Sequence, residues 1–109
     1  MEEIIMKIIV SGGSARSKAI KAIRCAREGD IKGAKKLMDE AQESISIAHE
    51  VQTELIQAEA RGEKNEVSLL MVHAQDHIMN AITVKELAEE MIEEVIARHN
   101  LQNILNIRS

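Results

Sequence analysis

Apolar residues recur along this chain at intervals of three and four positions, the period of an α-helix with one buried face. The 109 residues include no proline and only five glycines, so few positions can interrupt that period. Gly29 and Gly62 are the glycines that separate one periodic block from the next. The pattern predicts three long helices and a C-terminal tail, with approximate bounds 2–28, 31–61, 66–98 and 100–109. The tail has no strong pattern, so we expect it to be frayed or a helical extension.

Small and polar residues predict where these helices begin and where one of them breaks. Asp30 and Asn65 are expected to cap helices two and three, because their side chains accept hydrogen bonds from free helical N–H groups. The adjacent pair Gly12-Gly13 predicts a kink or short break in helix one. Ser14 would then cap the second half of that helix.

Short connections between long helices favour an antiparallel, up-down-up three-helix bundle. The fold class predicted for residues 1–109 is therefore all-α, as one domain with a glycine-kinked first helix. Helix three also carries apolar residues away from its main buried face, namely Leu69, Val72, Met79 and Val84. Such surplus apolar surface is typical of an interaction face, so we expect the bundle to self-associate.

Composition and charge exclude several classes of function. With 14 basic and 18 acidic residues the net charge is −4, which argues against broad nucleic-acid binding, and the lack of aromatic rings excludes base stacking. Cys25 is the single cysteine and cannot form an internal disulfide, which favours a reducing compartment. No apolar run approaches the roughly 18 residues that span a bilayer. We therefore expect a cytoplasmic protein that is not inserted in the membrane.

The segment 72–80 is the stretch that could carry chemistry. His73 and His77 are four positions apart and Asp76 is three from His73, so a helix would project all three to one side. Gln75 belongs to the same turn but points elsewhere.

Spacing alone leaves three interpretations of this cluster open. Neutral imidazole is a nucleophile toward phosphorus at physiological pH, and its second nitrogen would then need an orienting partner. His73, Asp76 and His77 are also plausible metal ligands, although one helix supplies only three groups. The third interpretation is that polar residues line a helix interface without any chemistry.

Other polar residues have simpler interpretations. His49 is expected to be a partly buried histidine of helix two, and His99 a residue near the C-terminal end of helix three, where the helix dipole favours it. Cys25 is interpreted as a packing residue. The Gly12–Ser14 stretch is a weak match to a phosphate-binding loop, because no strand precedes it. Gln52 lies in an apolar stripe and needs a hydrogen-bond partner if it is buried.

Four stretches of the sequence carry a resemblance to a known family. They are Gly-Ser-Ala-Arg-Ser at 13–17, Gly-Asp at 29–30, Ala-His-Glu-Val-Gln-Thr-Glu-Leu at 48–55 with Glu-Ala at 59–60, and His-Ala-Gln-Asp-His-Ile-Met at 73–79. In these stretches the chain resembles the lactose/cellobiose-type enzyme IIA of the bacterial phosphoenolpyruvate-dependent sugar phosphotransferase system. The run before His73 is more similar to the cellobiose and chitobiose members than to the lactose members.

This resemblance implies a phosphocarrier. His73 would accept a phosphoryl group at Nε2 from the phosphohistidine of HPr and pass it to a cysteine of the cognate IIB subunit. The membrane subunit IIC would present the sugar, which would be a β-linked disaccharide such as cellobiose, chitobiose or lactose. His77 and Gln75 would contact the phosphoryl group or orient a neighbour.

The resemblance also implies an assembly and a metal. Members of this family are homotrimers of three-helix bundles, in keeping with the surplus apolar surface of helix three. Asp76 would meet its symmetry mates at the threefold axis and share a divalent cation, for which Mg²⁺ is expected. Three clustered carboxylates repel each other unless a cation or a proton neutralises them.

Overall fold

The structure is a computed structural model that describes residues 2–64 and 66–108, with side chains up to 106. The described residues form three α-helices. The helices are α1 (Glu2–Arg27), α2 (Ile31–Ala60) and α3 (Leu69–Arg108). The predicted all-α, three-helix fold is confirmed. The predicted cap at Asn65 lies outside the described residues.

Both connections are built from helix caps. Gly29 and Gly62 have φ angles of +90° and +91°, a left-handed conformation that glycine adopts without steric cost. Around each glycine two backbone N–H groups turn back to carbonyl oxygens of the preceding helix, which is the Schellman arrangement. Asp30 then caps α2 as predicted, since its Oδ1 accepts a hydrogen bond of 2.9 Å from the Gly33 N–H.

Helix α3 differs from its predicted bounds at both ends. It begins at Leu69 rather than 66, because Ser68 is the residue that caps it: the Met71 N–H donates to Ser68 Oγ over 3.1 Å. At the other end the helix continues to Arg108, so the predicted tail is a helical extension and not a frayed segment.

Three clusters of buried side chains, stacked along the bundle, form the core. Their buried members are Ile5, Ile8, Ala48, Met71, Ala74 and Ile78 in the first, Ala15, Ala19, Ala41, Ile45, Ala81 and Ala88 in the second, and Ala22, Ala26, Ala34, Ile92 and Val95 in the third. From the first cluster to the third, residue numbers rise in α1 and α3 and fall in α2. Helices α1 and α3 therefore run in the same direction, and α2 runs antiparallel to both.

Helix α1 is the central element of the bundle, because it packs against both other helices while α2 and α3 contact each other far less. Most of the buried apolar side chains in the described residues are alanines, including four on α1 at alternating steps of four and three. Small side chains let helix axes approach closely. The backbone of α1 can therefore come near the backbone of α3.

The closest approach occurs at Gly12. A Cβ atom at this position would lie 3.3 Å from the carbonyl carbon and oxygen of His77 and 3.4 Å from the Ile78 nitrogen. The predicted break at Gly12-Gly13 is wrong, because α1 passes through both residues as one unbroken helix, and Ser14 lies inside that helix rather than capping it. Gly12 allows contact between two helices instead of interrupting one.

Much of the apolar surface of α3 has no partner within the chain. Leu69, Val72 and Met79 are exposed, as expected, whereas Val84 packs against the second core cluster and does not belong to this surface. Leu87, Met91 and the residues Leu101, Ile104 and Leu105 of the helical extension are also exposed. No helix in the described part of the chain is long and apolar enough to cross a membrane.

The two adjacent glycines provide a matched test of the close contact. We expect Gly13→Ala to raise the free energy of unfolding by about 1 kcal/mol, because alanine favours helix interiors and its Cβ would meet no atom within 4 Å. Gly12→Ala should lose this gain, since α3 must shift to admit the Cβ. Urea unfolding at one fixed protein concentration measures both variants. Equal stabilisation by the two substitutions would contradict the contact.

Candidate functional site

Two histidines on consecutive turns of α3 form a hydrogen-bonded pair. Nε2 of His73 and Nε2 of His77 are 3.1 Å apart, and the two rings meet edge to face at 89° with centroids 4.5 Å apart. A hydrogen bond between two ring nitrogens requires one to donate a proton and the other to offer a lone pair. At least one of these imidazoles therefore has an unprotonated Nε2.

The core determines the direction in which this pair projects. Ala74 and Ile78 are fully buried in the first cluster, so the residues beside them on α3 point outward. His73 is exposed, while His77 is half-buried because α1 packs against its backbone at Gly12. The pair thus combines one accessible imidazole with one that is held by the bundle.

Gln75 belongs to a different part of the site. Gln52 of α2 is 9% exposed, and its Nε2 donates a hydrogen bond to Oε1 of Gln75. This bond supplies the partner that a buried Gln52 requires, and it ties α2 to the turn of α3 that carries the histidines. Gln75 lines a groove on the α2 side together with Leu55 and Val72.

A cleft of about 460 Å³ lies on the other side, between α1 and α3. It is lined by Arg16, Asp76, His77, Asn80, Thr83 and Val84. Asp76 and His77 share this cleft, whereas His73, which was expected to project to the same side, is not among the residues that line it. The sequence pattern alone did not group Arg16 and Asn80 with these residues. The available signals were helical spacings, since Arg16 is four residues after Gly12 and Asn80 is three residues after His77.

Asp76 is an exposed carboxylate on this cleft. It forms no hydrogen bond and no ion pair with any side chain that the structure describes. Within the described part of one chain, no group of three or more His, Cys, Asp or Glu side chains could hold a metal ion. Coordination by His73, Asp76 and His77 of a single chain is therefore not supported.

The remaining candidates lie elsewhere. His49 is exposed rather than partly buried, and it lines a separate groove with Ser46 and Lys85. His99 does not occupy the last turn of α3, because that helix continues to Arg108. Cys25 is half-buried against the third core cluster, which agrees with a packing role.

Comparison with known proteins identifies the family of the chain. The sequence profile of the family described as PTS system, Lactose/Cellobiose specific IIA subunit matches residues 3–95, which include the histidine pair and the whole cleft. The chain belongs to this family of IIA subunits. It is therefore a component of the sugar phosphotransferase system, and the role of the family is phosphoryl transfer.

Relatives and solved structures agree with this assignment. This IIA subunit is 58% identical over 93 residues to the lichenan-specific phosphotransferase enzyme IIA component of Bacillus subtilis, which covers 85% of this chain and 84% of the relative. The crystal structure of the cellobiose-specific enzyme IIA from Bacillus anthracis matches with a TM-score of 0.88 and 50% identity over 91% of both chains. The IIA(Chitobiose) of Escherichia coli, solved in complex with HPr, matches with a TM-score of 0.78 and 41% identity, covering 90% of this chain and 95% of that one.

The bond between the two glutamines of this IIA subunit can be tested by a double-mutant cycle. Gln75→Leu should lower the free energy of unfolding by about 1–3 kcal/mol, because the amide of Gln52 loses its partner inside the bundle. The double variant Gln52→Leu/Gln75→Leu should recover most of that loss, since neither polar group remains. Gln57→Leu, at an exposed position of α2, is the control. Additive losses in the double variant would contradict the coupling.

Proposed function

We propose that this IIA subunit carries a phosphoryl group on Nε2 of His73, between HPr and the cognate IIB subunit. The observation that carries the proposal is the exposed His73, whose Nε2 lies 3.1 Å from Nε2 of His77. The proposed role of HPr is supported by the solved complex of the chitobiose relative with HPr. The proposal places this exchange in the cytoplasm, next to the membrane subunit IIC.

The chemistry consists of two displacements at phosphorus. The lone pair on Nε2 of His73 attacks the phosphorus of the phosphohistidine of HPr, and the nitrogen–phosphorus bond of the donor breaks as its electron pair returns to the donor ring. A cysteine thiolate of IIB then attacks the same phosphorus, and the bond to His73 breaks. No water takes part, so the phosphoryl group is conserved.

His77 and Gln75 have supporting roles in this proposal. When His77 donates to Nε2 of His73, that nitrogen is unprotonated, and this hydrogen bond must break before the same lone pair attacks phosphorus. An N–H of His77 can afterwards donate to an oxygen of the bound phosphoryl group. Gln75 has its Oε1 engaged by Gln52, so its amide N–H groups are the part that can act as donors.

The sugar that receives the phosphoryl group is proposed to be a β-linked disaccharide such as cellobiose, chitobiose or lactose. The relatives reported above are named for lichenan, cellobiose and chitobiose, which supports the β-linked class. In this scheme the IIA subunit never touches the sugar. Its side chains therefore contact the two protein partners rather than the substrate of the transporter.

We also propose that the functional unit is a homotrimer with a shared divalent cation, expected to be Mg²⁺. The trimer is supported by the exposed apolar residues of α3, which include Val72, Met79, Leu87 and Met91. The cation is supported by Asp76, an exposed carboxylate without a partner in the described chain. Carboxylates from three copies would repel one another, and a divalent cation would offset that repulsion.

The carrier residue is tested by intact mass after incubation with phosphoenolpyruvate, enzyme I and HPr. We expect the wild type to gain one acid-labile phosphoryl group and His73→Ala to gain none, because the substitution removes the attacking nitrogen. His49→Ala and His99→Ala are the controls and should be labelled like the wild type. Labelling that survives in His73→Ala would refute the assignment.

The proposed metal is tested with Asp76→Leu. We expect this variant to stay trimeric and to bind no divalent cation, because apolar packing replaces the clustered charge. A chelator should lower the Tm of the wild type and leave the Tm of Asp76→Leu unchanged.

Sedimentation measures the oligomeric state of Asp76→Leu, and metal analysis measures the divalent cation that it binds. The control is Asp39→Leu, which removes a carboxylate from the exposed side of α2 and should keep the wild-type response to the chelator. A monomeric Asp76→Leu, or a chelator effect that persists in it, would contradict the proposal.

A further inference from the structure

The cleft beside His77 is rich in hydrogen-bond donors. Its lining includes the guanidinium of Arg16, the imidazole of His77, the amide of Asn80 and the hydroxyl of Thr83. Arg16 is exposed and forms no hydrogen bond or ion pair with any residue that the structure describes. An arginine without a partner, in a cleft lined by further donors, is suited to bind an oxyanion.

The histidine pair cannot keep its present geometry once His73 is phosphorylated. A separation of 3.1 Å between two ring nitrogens leaves room for one proton and not for a tetrahedral phosphoryl group. The rings must therefore move apart when the nitrogen–phosphorus bond forms. His73 is not among the residues that line the cleft, but His77, the ring from which it must separate, is one of them, so the cleft that contains Arg16 is adjacent to the pair.

The charge of the phosphoryl group favours a cation beside the histidine pair. The phosphoryl group on His73 is an anion, and His77, the hydrogen-bond partner of His73, lines the cleft. An opposite charge nearby stabilises an anionic group. Of the residues that line the cleft, Arg16 is the one with a permanent positive charge, and its planar fork matches two phosphoryl oxygens.

The contact at Gly12 places Arg16 close to the level of His77 along the bundle axis. Gly12 meets the backbone of His77, and Arg16 lies one helical turn further along α1. Because α1 and α3 run in the same direction, that turn brings Arg16 beside Asn80 and Thr83. The position of this cation relative to the histidines thus depends on a packing contact and not on a flexible loop.

We propose that Arg16 binds the oxygens of the phosphoryl group carried by His73 and thereby stabilises the phosphorylated form of the protein. This inference rests on the proposed phosphoryl transfer at His73. It makes Arg16 a residue that contacts the reacting group, in addition to the His77 and Gln75 already proposed.

The equilibrium of phosphoryl exchange with HPr tests this role, because the final distribution does not depend on how fast the two proteins dock. Wild type, Arg16→Gln, Arg16→Lys and Arg24→Gln are each equilibrated with phosphorylated HPr, and intact mass gives the phosphorylated fraction of both proteins. We expect the equilibrium constant to fall about tenfold in Arg16→Gln, the effect of losing one charge-assisted hydrogen bond. Arg16→Lys should recover part of the loss, since it keeps the charge but not the fork.

Arg24→Gln is the matched control, because Arg24 is also an exposed arginine of α1 but lines a groove near the third core cluster. Its equilibrium constant should equal that of the wild type. A second measurement uses the wild type alone: the ¹⁵Nε signal of Arg16 should shift when His73 is phosphorylated, whereas that of Arg24 should not. This measurement stands even if Arg16→Gln fails to fold.

The outcomes separate this inference from the proposed function. A wild type that takes no phosphoryl group at His73 would overturn the proposed function itself. A wild type that is phosphorylated at His73, with an unchanged equilibrium constant in Arg16→Gln and no shift of the Arg16 signal, would overturn the inference and leave the carrier function in place.

Discussion

The candidate site depends on the contact between the backbones of α1 and α3 at Gly12. With no Cβ at this position, α1 lies directly against the carbonyl of His77, and the alanines of the core allow the same close approach along the rest of α1. This contact fixes the height of α1 relative to α3. It therefore determines that His77 is half-buried and that Arg16 lies beside the turn after the histidines.

A second interaction, from α2, positions the turn of α3 that carries the histidines from the opposite side. The hydrogen bond between Gln52 and Gln75 is partly buried, where a polar group without a partner is costly. The turn that carries the histidines is thus positioned by a steric contact on one side and a polar contact on the other. A rigid support of this kind suits a carrier, whose imidazole must meet two protein partners in turn in the same orientation.

The fold could be predicted from the sequence because helical periodicity and the cap at Asp30 are local signals, and both are confirmed. The failures have tertiary causes. Two adjacent glycines usually disturb a helix, and only the packing of α3 shows why Gly12 does not. The predicted start of α3 is wrong because Ser68, three residues beyond the predicted cap at Asn65, is the residue that caps the helix. The place of Arg16 beside His77 could not be predicted from the sequence. It depends on the register between two helices, which spacing within one helix does not show.

The central claim is that Nε2 of His73 carries the phosphoryl group. The most direct test is ¹⁵N NMR of the imidazole nitrogens in ¹⁵N-histidine-labelled protein, before and after phosphorylation. The account predicts coupling to ³¹P at a single nitrogen, Nε2 of His73, together with a changed Nε2 signal of His77 as its hydrogen bond to His73 is lost. Coupling at Nδ1 of His73, or at any nitrogen of His49, His77 or His99, would contradict it.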